Sequence, residues 1–112
     1  MQRVHELRKQ AFLLGEPILR EKSFEILIKT VKEKKPKRIL EIGVNRGLSG
    51  IAMMLASENS FLTGIEIDEE KIAIAKENYR TFGLTERVKI FAGDASEIIP
   101  VLTGKYDFIF LD

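Results

Sequence analysis

The chain has 112 residues, with 18 Lys and Arg against 17 Asp and Glu, one His, no Cys and no Trp. This length allows one domain, and a net charge of +1 argues against a general polyanion binder, because nucleic-acid binding usually shows as a strong basic excess. The absence of Cys excludes disulfides, thiolate zinc sites and thiol nucleophiles. No apolar run approaches the roughly 20 residues of a membrane span, and the charged N-terminus has no apolar signal core. We therefore expect a cytoplasmic protein without a membrane partner.

The first third of the chain carries two helical patterns. Apolar side chains at helical spacing predict a helix over residues 2–14, which the Gly-Glu-Pro run at 15–17 should end. A second helix is predicted over about 20–34. It is followed by a Lys-rich run that suits a helix C-terminus and by Pro36, which cannot continue a helix.

From residue 36 onward, short apolar strands alternate with helices. The predicted strands are 38–43, 61–67, 88–92 and 106–112, and the predicted helices are 47–57, 69–82 and a short one over 95–102. This alternation predicts βαβ units and a parallel sheet, and nearly continuous apolar strands are typical of a sheet covered by helices on both faces. The fold class is therefore α/β and Rossmann-like. We predict a single domain over 1–112, with leading helices in 1–35 and βαβ units in 36–112.

Ligands of open α/β sheets bind at the carboxyl ends of the strands, and every predicted strand ends near an acidic residue. The acids are Glu41, Glu66, Asp68, Asp94 and Asp112, and Gly43, Gly47 and Gly93 accompany them. The loop EIGVNRG departs from the dinucleotide fingerprint G-x-G-x-x-G at two of its three glycine positions. A compact ligand with one carboxylate could still use the helix N-terminus after this loop. Equally, the glycines could serve only to make a strand-to-helix turn.

The acidic residues favour different ligand groups. Glu66 lies 23 positions after the first glycine of that loop, which is close to the spacing at which an acid binds ribose hydroxyls, whereas Asp68 better suits a helix cap. Asp94 could accept a hydrogen bond from an adenine amino group, with the Ala95 amide as a donor, and could also cap the short helix. Glu41 suits a ligand ammonium group, or is an acid stabilised by nearby backbone amides.

The segments EIGVNRG, GIEID, AGDAS and YDFIFLD, in this order, resemble the class I S-adenosylmethionine-dependent methyltransferases. The closest resemblance is to the metal-dependent O-methyltransferases, which include catechol and caffeoyl-CoA O-methyltransferases, and it covers roughly residues 15–112. The segment 16–43 is also similar to a bacterial branch that includes tRNA 5-hydroxyuridine methyltransferases. The resemblance implies methyl transfer from S-adenosylmethionine to a hydroxyl of a small molecule or of tRNA. It also implies assistance by Mg²⁺ or a similar divalent cation.

The resemblance further implies which residues contact the cofactor. One of them is Leu19, which with Ile18 after Pro17 forms the leading segment that covers the cofactor in this family. The others are Glu41, Gly43, Gly47, Ser49, Glu66, Asp94 and Ala95. Ser49 would help at the methionine carboxylate, and Glu66 would bind the ribose hydroxyls. Asp94 and Ala95 would face the adenine. Asp112 aligns with the first metal-ligating aspartate of the family, at the end of the fourth strand, and is the residue expected to take part in catalysis.

The family pattern continues beyond its fourth strand with a Lys-containing segment, further metal ligands and at least three more strands, which this sequence does not contain. We therefore expect an incomplete methyltransferase domain that binds the cofactor weakly and has no methyl transfer activity alone. Because residues 106–112 would form an apolar edge strand, we also expect a homo-oligomer. Two alternatives stay open: a non-catalytic interaction module, and a nicotinamide-dependent oxidoreductase, which the missing fingerprint disfavours.

The sequence leaves the methyl acceptor open. Five basic residues flank the leading segment, namely Arg3, Arg8, Lys9, Arg20 and Lys22. They could approach the phosphates of a tRNA. A solvated helix face is the more common arrangement for such residues, and we favour it here.

Overall fold

The computed structural model describes residues 1–16 and 18–112 and places four parallel strands in one sheet. The helices and strands in chain order are α1 (Gln2–Leu13), α2 (Glu21–Lys34), β1 (Arg38–Ile42), α3 (Leu48–Ala56), β2 (Phe61–Glu66), α4 (Glu69–Thr81), β3 (Val88–Ala92), α5 (Ala95–Ile98) and β4 (Phe108–Leu111). The spatial order is β3-β2-β1-β4, with every neighbouring pair parallel. The prediction of an α/β, Rossmann-like fold is confirmed. Pro17, part of the predicted helix break, lies outside the described residues.

The two faces of the sheet are covered unequally. Alternate side chains of a strand point to opposite faces, and Ile39 and Leu62 join the apolar core formed with α1, α2, α3 and α4. On the other face, α5 packs against β2, while Ile109 and Leu111 of β4 are 60% and 72% exposed. Helices were predicted to cover both faces of the sheet. Four helices cover one face, whereas α5 covers only part of the other. None of the described helices is long and apolar enough to cross a membrane.

The predicted boundaries differ from the observed ones most at the last two elements. The predicted short helix is one α-helical turn followed by a 3₁₀ turn over Ile99–Val101, because Pro100 has no amide hydrogen for an α-helical bond. The last strand has four residues, and Asp107 stands before it. Its carboxylate accepts hydrogen bonds from the amides of Lys37 and Arg38, at 3.0 and 2.9 Å. Asp107 therefore ties the start of β4 to the start of β1.

Arg87, just before β3, ties the end of α3 to the sheet. Its guanidinium donates hydrogen bonds of 2.9–3.0 Å to the carbonyl oxygens of Met54, Ser57 and Ser60 and to the Ser60 hydroxyl. We expect Arg87→Met to lower the free energy of unfolding, measured with urea, by about 2 kcal/mol, because these acceptors would lose a charged donor. Arg80→Met is the matched control, since its ion pair with Glu77 lies on the exposed face of α4 and exposed pairs contribute little to stability. Equal stability of the two variants would contradict this role of Arg87.

β4 forms one edge of the sheet, because it pairs with β1 and no other described strand lies beside it. An exposed apolar edge strand can pair with another chain. We expect sedimentation velocity to show self-association that increases with concentration, and we expect Ile109→Lys combined with Leu111→Lys to reduce it. Ile26→Lys, on an exposed position of α2, should leave the association unchanged. A monomer at every concentration for the unmodified chain would refute the expected homo-oligomer.

Candidate functional site

Two cavities open where β1 runs into α3. The strand-end groove has a volume of about 270 Å³ and is lined by Ile42, Gly43, Ile65, Glu66, Ile67, Gly93, Asp94 and Ala95. The loop pocket has a volume of about 20 Å³ and is lined by Arg8, Ile18, Leu19, Phe24, Val44, Asn45, Arg46, Leu48, Ser49 and Asp112. Most of the predicted site residues therefore line one of two neighbouring cavities. The exceptions are Glu41 and Gly47, which line neither.

The turn after β1 has glycine at two positions where the backbone is left-handed. Gly43 and Gly47 have φ values of +89° and +87°, in the left-handed region that other residues rarely adopt. A Cβ on Gly47 would lie 3.0 Å from Cε1 of Tyr79 and 3.2 Å from Cβ of Ala75. Gly47 therefore allows α4 to pack directly against the turn, whereas Gly43 also forms part of the strand-end groove.

Glu66 connects the end of β2 to the loop after β1. Its Oε1 accepts a hydrogen bond of 2.7 Å from the Asn45 amide, and its Oε2 accepts bonds of 3.0 Å from the amides of Ile67 and Asp68. A carboxylate can accept about four hydrogen bonds, so Glu66 can still accept one from a ligand in the groove. No local sequence pattern predicted this connection between the two loops. The predicted contact with ribose hydroxyls stays a prediction.

Asp94 caps α5, as one of its two predicted roles required. Its Oδ1 accepts hydrogen bonds from the amide and the hydroxyl of Ser96, at 2.9 and 2.8 Å. These bonds lower the pKa of Asp94 below its usual value, so the carboxylate is ionised at neutral pH and its Oδ2 can accept from a ligand. The predicted cap at Asp68 is also confirmed, because its side chain accepts from two amides of α4.

Ile67 is a groove residue outside the predicted set of site residues. It is 67% exposed and lines the strand-end groove next to Glu66. An exposed apolar side chain can bury its surface against a ligand ring. Its position directly after the acid that ends β2 was the available signal.

Glu41 lies on β1 and is completely buried. Neither of its carboxylate oxygens has a hydrogen-bond partner among residues 1–16 and 18–112, so the alternative of an acid stabilised by backbone amides is wrong. A Cβ on Gly50 would lie 2.9 Å from Oε1 of Glu41 and 3.5 Å from the Tyr79 hydroxyl. The carboxylate therefore faces the first turns of α3, near another buried hydroxyl. Its predicted contact with a ligand ammonium group stays a prediction.

Burial is the main influence on the pKa values of Glu41 and Tyr79. It raises the pKa of Glu41 well above its usual value, and the carboxylates of Asp112 and Glu66 raise it further. Burial also raises the pKa of the Tyr79 hydroxyl, and the Glu41 carboxylate adds to that increase. The interior beside the turn therefore holds polar groups that favour their uncharged forms.

Asp112 follows β4 and lines the loop pocket. Its amide donates a hydrogen bond of 3.1 Å to the Ile42 carbonyl oxygen, and its Cβ lies 3.6 Å from where a Cβ on Gly43 would stand. Partial burial raises the pKa of Asp112, the Glu66 carboxylate raises it further, and Lys71 opposes both. No three His, Cys, Asp or Glu side chains in the described part of the chain are placed to hold a metal ion. The described residues therefore do not complete a metal site, and the predicted metal contact of Asp112 stays a prediction.

The leading segment closes the loop pocket from one side. Arg8 of α1 is 6% exposed, and its Nη1 donates a hydrogen bond of 3.2 Å to the Leu19 carbonyl oxygen. The interpretation of Arg8 as part of a solvated face is therefore wrong. Nearby, Nε of Arg46 lies 3.1 Å from Oε2 of Glu16, and the Asn78 side chain donates to the Arg46 carbonyl oxygen at 2.9 Å. These contacts hold the loop after β1 against α4 and the leading segment.

The sequence matches a family model described as O-methyltransferase over residues 6–112. It is 40% identical over 81 residues to a catechol O-methyltransferase of Niastella koreensis, and the aligned region covers 68% of this chain and 37% of that protein. It is 35% identical over 92 residues to the catechol O-methyltransferase of Sus scrofa, and the aligned region covers 81% of this chain and 50% of that protein.

Solved structures of methyltransferases have the same fold. The S-adenosylhomocysteine-bound methyltransferase PaMTH1 of Podospora anserina matches with a TM-score of 0.80 and 31% identity, over 85% of this chain and 42% of that one. The O-methyltransferase of Bacillus cereus in complex with S-adenosylhomocysteine matches with a TM-score of 0.77 and 26% identity, over 99% of this chain and 52% of that one. The chain thus spans about half of the length of these proteins, or less.

Proposed function

Because this chain belongs to the O-methyltransferase family, we propose that it supplies the cofactor-binding part of an enzyme that methylates a hydroxyl oxygen with S-adenosylmethionine. The strand-end groove carries the proposal, since it brings Glu66, Asp94 and Ala95 together beside the Gly43 turn. Two similar solved structures contain S-adenosylhomocysteine, the demethylated form of that cofactor.

The groove offers complementary contacts to an adenosine. Glu66 has one acceptor position left for a ribose hydroxyl, and the Oδ2 atom of Asp94 can accept from the adenine amino group. The apolar side chains of Ile65 and Ile67 border the same groove and can cover the faces of the adenine ring. The Ala95 amide can donate to a ring nitrogen. Each of these groups is held by backbone hydrogen bonds or by the sheet, so little ordering is needed on binding.

The cofactor, when bound, supplies a methyl group on a sulfonium cation, and transfer to an oxygen nucleophile cancels charge, so a site closed to water favours it. Leu19 and Ser49 would provide this closure on the side of the loop pocket. Asp112, which lines the loop pocket and lies beside Gly43, would place a carboxylate near the positive end of the ligand. We propose Asp112 also as one ligand of Mg²⁺ or a similar cation, which would lower the pKa of an acceptor hydroxyl.

We propose a small-molecule hydroxyl as the acceptor in preference to tRNA. Two similar proteins are named catechol O-methyltransferases. The burial of Arg8 removes one of the five basic residues that would have approached phosphates. The net charge of +1 gives no general attraction to a polyanion.

Isothermal titration of the chain with S-adenosylhomocysteine and, separately, with NAD tests the proposal. We expect binding of S-adenosylhomocysteine and none of NAD. Binding of NAD alone would favour the nicotinamide-dependent alternative. Binding of neither compound would overturn the proposed function in favour of a non-catalytic interaction module.

A further inference from the structure

The loop pocket contains a buried cation with unused hydrogen-bonding capacity. Arg8 is 6% exposed and lines this pocket with Leu19, Ser49 and Asp112. One of its nitrogens donates to the Leu19 carbonyl oxygen, but its buried Nε has no hydrogen-bond partner among the described residues. A guanidinium has five N–H donors, and leaving a buried charged donor unpaired is costly. The arrangement is therefore suited to a negatively charged acceptor that enters the pocket.

The first turn of α3 lines the same pocket and offers further donors. The first amides of a helix have no intrahelical acceptors. Here the N-cap is Gly47, which has no side chain that could accept from them. The N-terminus of a helix favours an anion. Ser49, in the first turn, adds a hydroxyl. The pocket therefore combines a guanidinium, a hydroxyl and a helix N-terminus around one space.

The other charged groups at the pocket restrict the kind of anion. Arg46 is already paired with Glu16 at 3.1 Å, so Arg8 is the cation left for a ligand. Asp112 lines the same pocket and would repel a ligand of high negative charge such as a phosphate. A single carboxylate next to an ammonium group, as in the α-amino acid end of a ligand, matches one cation and one anion in this pocket.

We propose that Arg8 binds the α-carboxylate of the amino acid portion of the cofactor, together with Ser49 and the N-terminus of α3. This inference rests on the proposed function and specifies how the chain distinguishes the cofactor from other adenosine compounds. A volume of about 20 Å³ holds a single water molecule, so Ile18 and Leu19 must shift outward when the carboxylate enters. Because Arg8 also holds the Leu19 carbonyl oxygen, the same residue links ligand binding to the leading segment.

Two ligands that differ by one carboxylate test this role. We would titrate the chain and its Arg8→Met variant with S-adenosylhomocysteine and with decarboxylated S-adenosylhomocysteine, which keeps the adenosine, the sulfur and the ammonium group. We expect Arg8→Met to weaken binding of the first ligand by about tenfold or more and to leave binding of the second within about twofold. Arg8→Lys, which keeps the charge but not the planar fork, should restore part of the affinity for the first ligand only.

The controls distinguish a ligand contact from a structural role. Lys9→Met removes the neighbouring exposed cation of α1 and should leave both affinities unchanged. If Arg8→Met weakens both ligands equally, or neither, the proposed contact is refuted. If it fails to fold, Arg8→Lys provides the same comparison, and equal effects on the two ligands would refute the contact there too. If the unmodified chain binds neither ligand, the proposed function itself fails.

Discussion

Glu66→Gln is expected to weaken the binding of S-adenosylhomocysteine by more than about tenfold and to lower the free energy of unfolding by about 2 kcal/mol. Both carboxylate oxygens of Glu66 accept from backbone amides, Oε1 from Asn45 and Oε2 from Ile67 and Asp68. Gln has the same shape, but its amide nitrogen only donates. Whichever way the Gln side chain is turned, one N–H group faces another. Isothermal titration and urea denaturation would measure the two effects.

Glu70→Gln is the matched control for this prediction. Glu70 is an exposed acid in the first turn of α4, close in sequence to Glu66 but outside both cavities. We expect its substitution to change the affinity by less than about twofold and the stability by less than about 0.5 kcal/mol. If Glu66→Gln behaved like Glu70→Gln in both measurements, neither the ribose contact nor the tie between the loops would be correct.

Glu41→Gln is expected to stabilise the ligand-free chain at neutral pH and to make its stability less dependent on pH. In the unfolded chain this carboxyl titrates near 4.5, whereas burial, with the nearby carboxylates, raises the pKa of Glu41 well above that value in the folded chain. Between the two pKa values the folded state holds a proton that the unfolded state has released. Stability therefore falls as the pH rises through this interval and is constant above it. Gln does not ionise, so the variant should lack this loss.

Urea denaturation at about pH 4 and about pH 8 would measure this effect. The advantage of Glu41→Gln should be small at the lower pH and should exceed about 1.4 kcal/mol, the free energy of one pKa unit, at the higher pH. Glu33→Gln, at an exposed position of α2, should show no such difference. If Glu41→Gln were less stable at both pH values, the buried carboxylate would have a stabilising partner.

The same variant addresses why an unpaired acid is buried there. If Glu41 meets the ammonium group of the cofactor, Glu41→Gln should bind S-adenosylhomocysteine more weakly although the free chain is more stable. Such a trade of stability for binding is common where a site holds a destabilising group for its ligand. Unchanged affinity would mean that Glu41 contributes to the interior beside Gly50 and Tyr79 and not to ligand binding.

The sequence by itself determined the class of fold and the order of its elements. Helical and strand periodicities follow from backbone geometry, so α2, α3 and α4 were predicted to within a residue or two. The caps at Asp68 and Asp94 were also predictable, because each side chain bonds to amides two or three positions away. The acids at the strand ends needed one further rule, that the carboxyl ends of parallel strands meet at the same edge of the sheet.

Only the tertiary structure decided how these side chains are used. Glu66 bonds to the amide of Asn45, 21 positions earlier, and Asp107 bonds to the amide of Arg38, 69 positions earlier. In the sequence, Arg8 is one of several basic residues interpreted as solvated. In the fold it is buried, and its guanidinium donates to the Leu19 carbonyl oxygen. No local pattern encodes such contacts, because they depend on which distant segments pack together. The burial of Arg8 and of Glu41 follows from that packing alone.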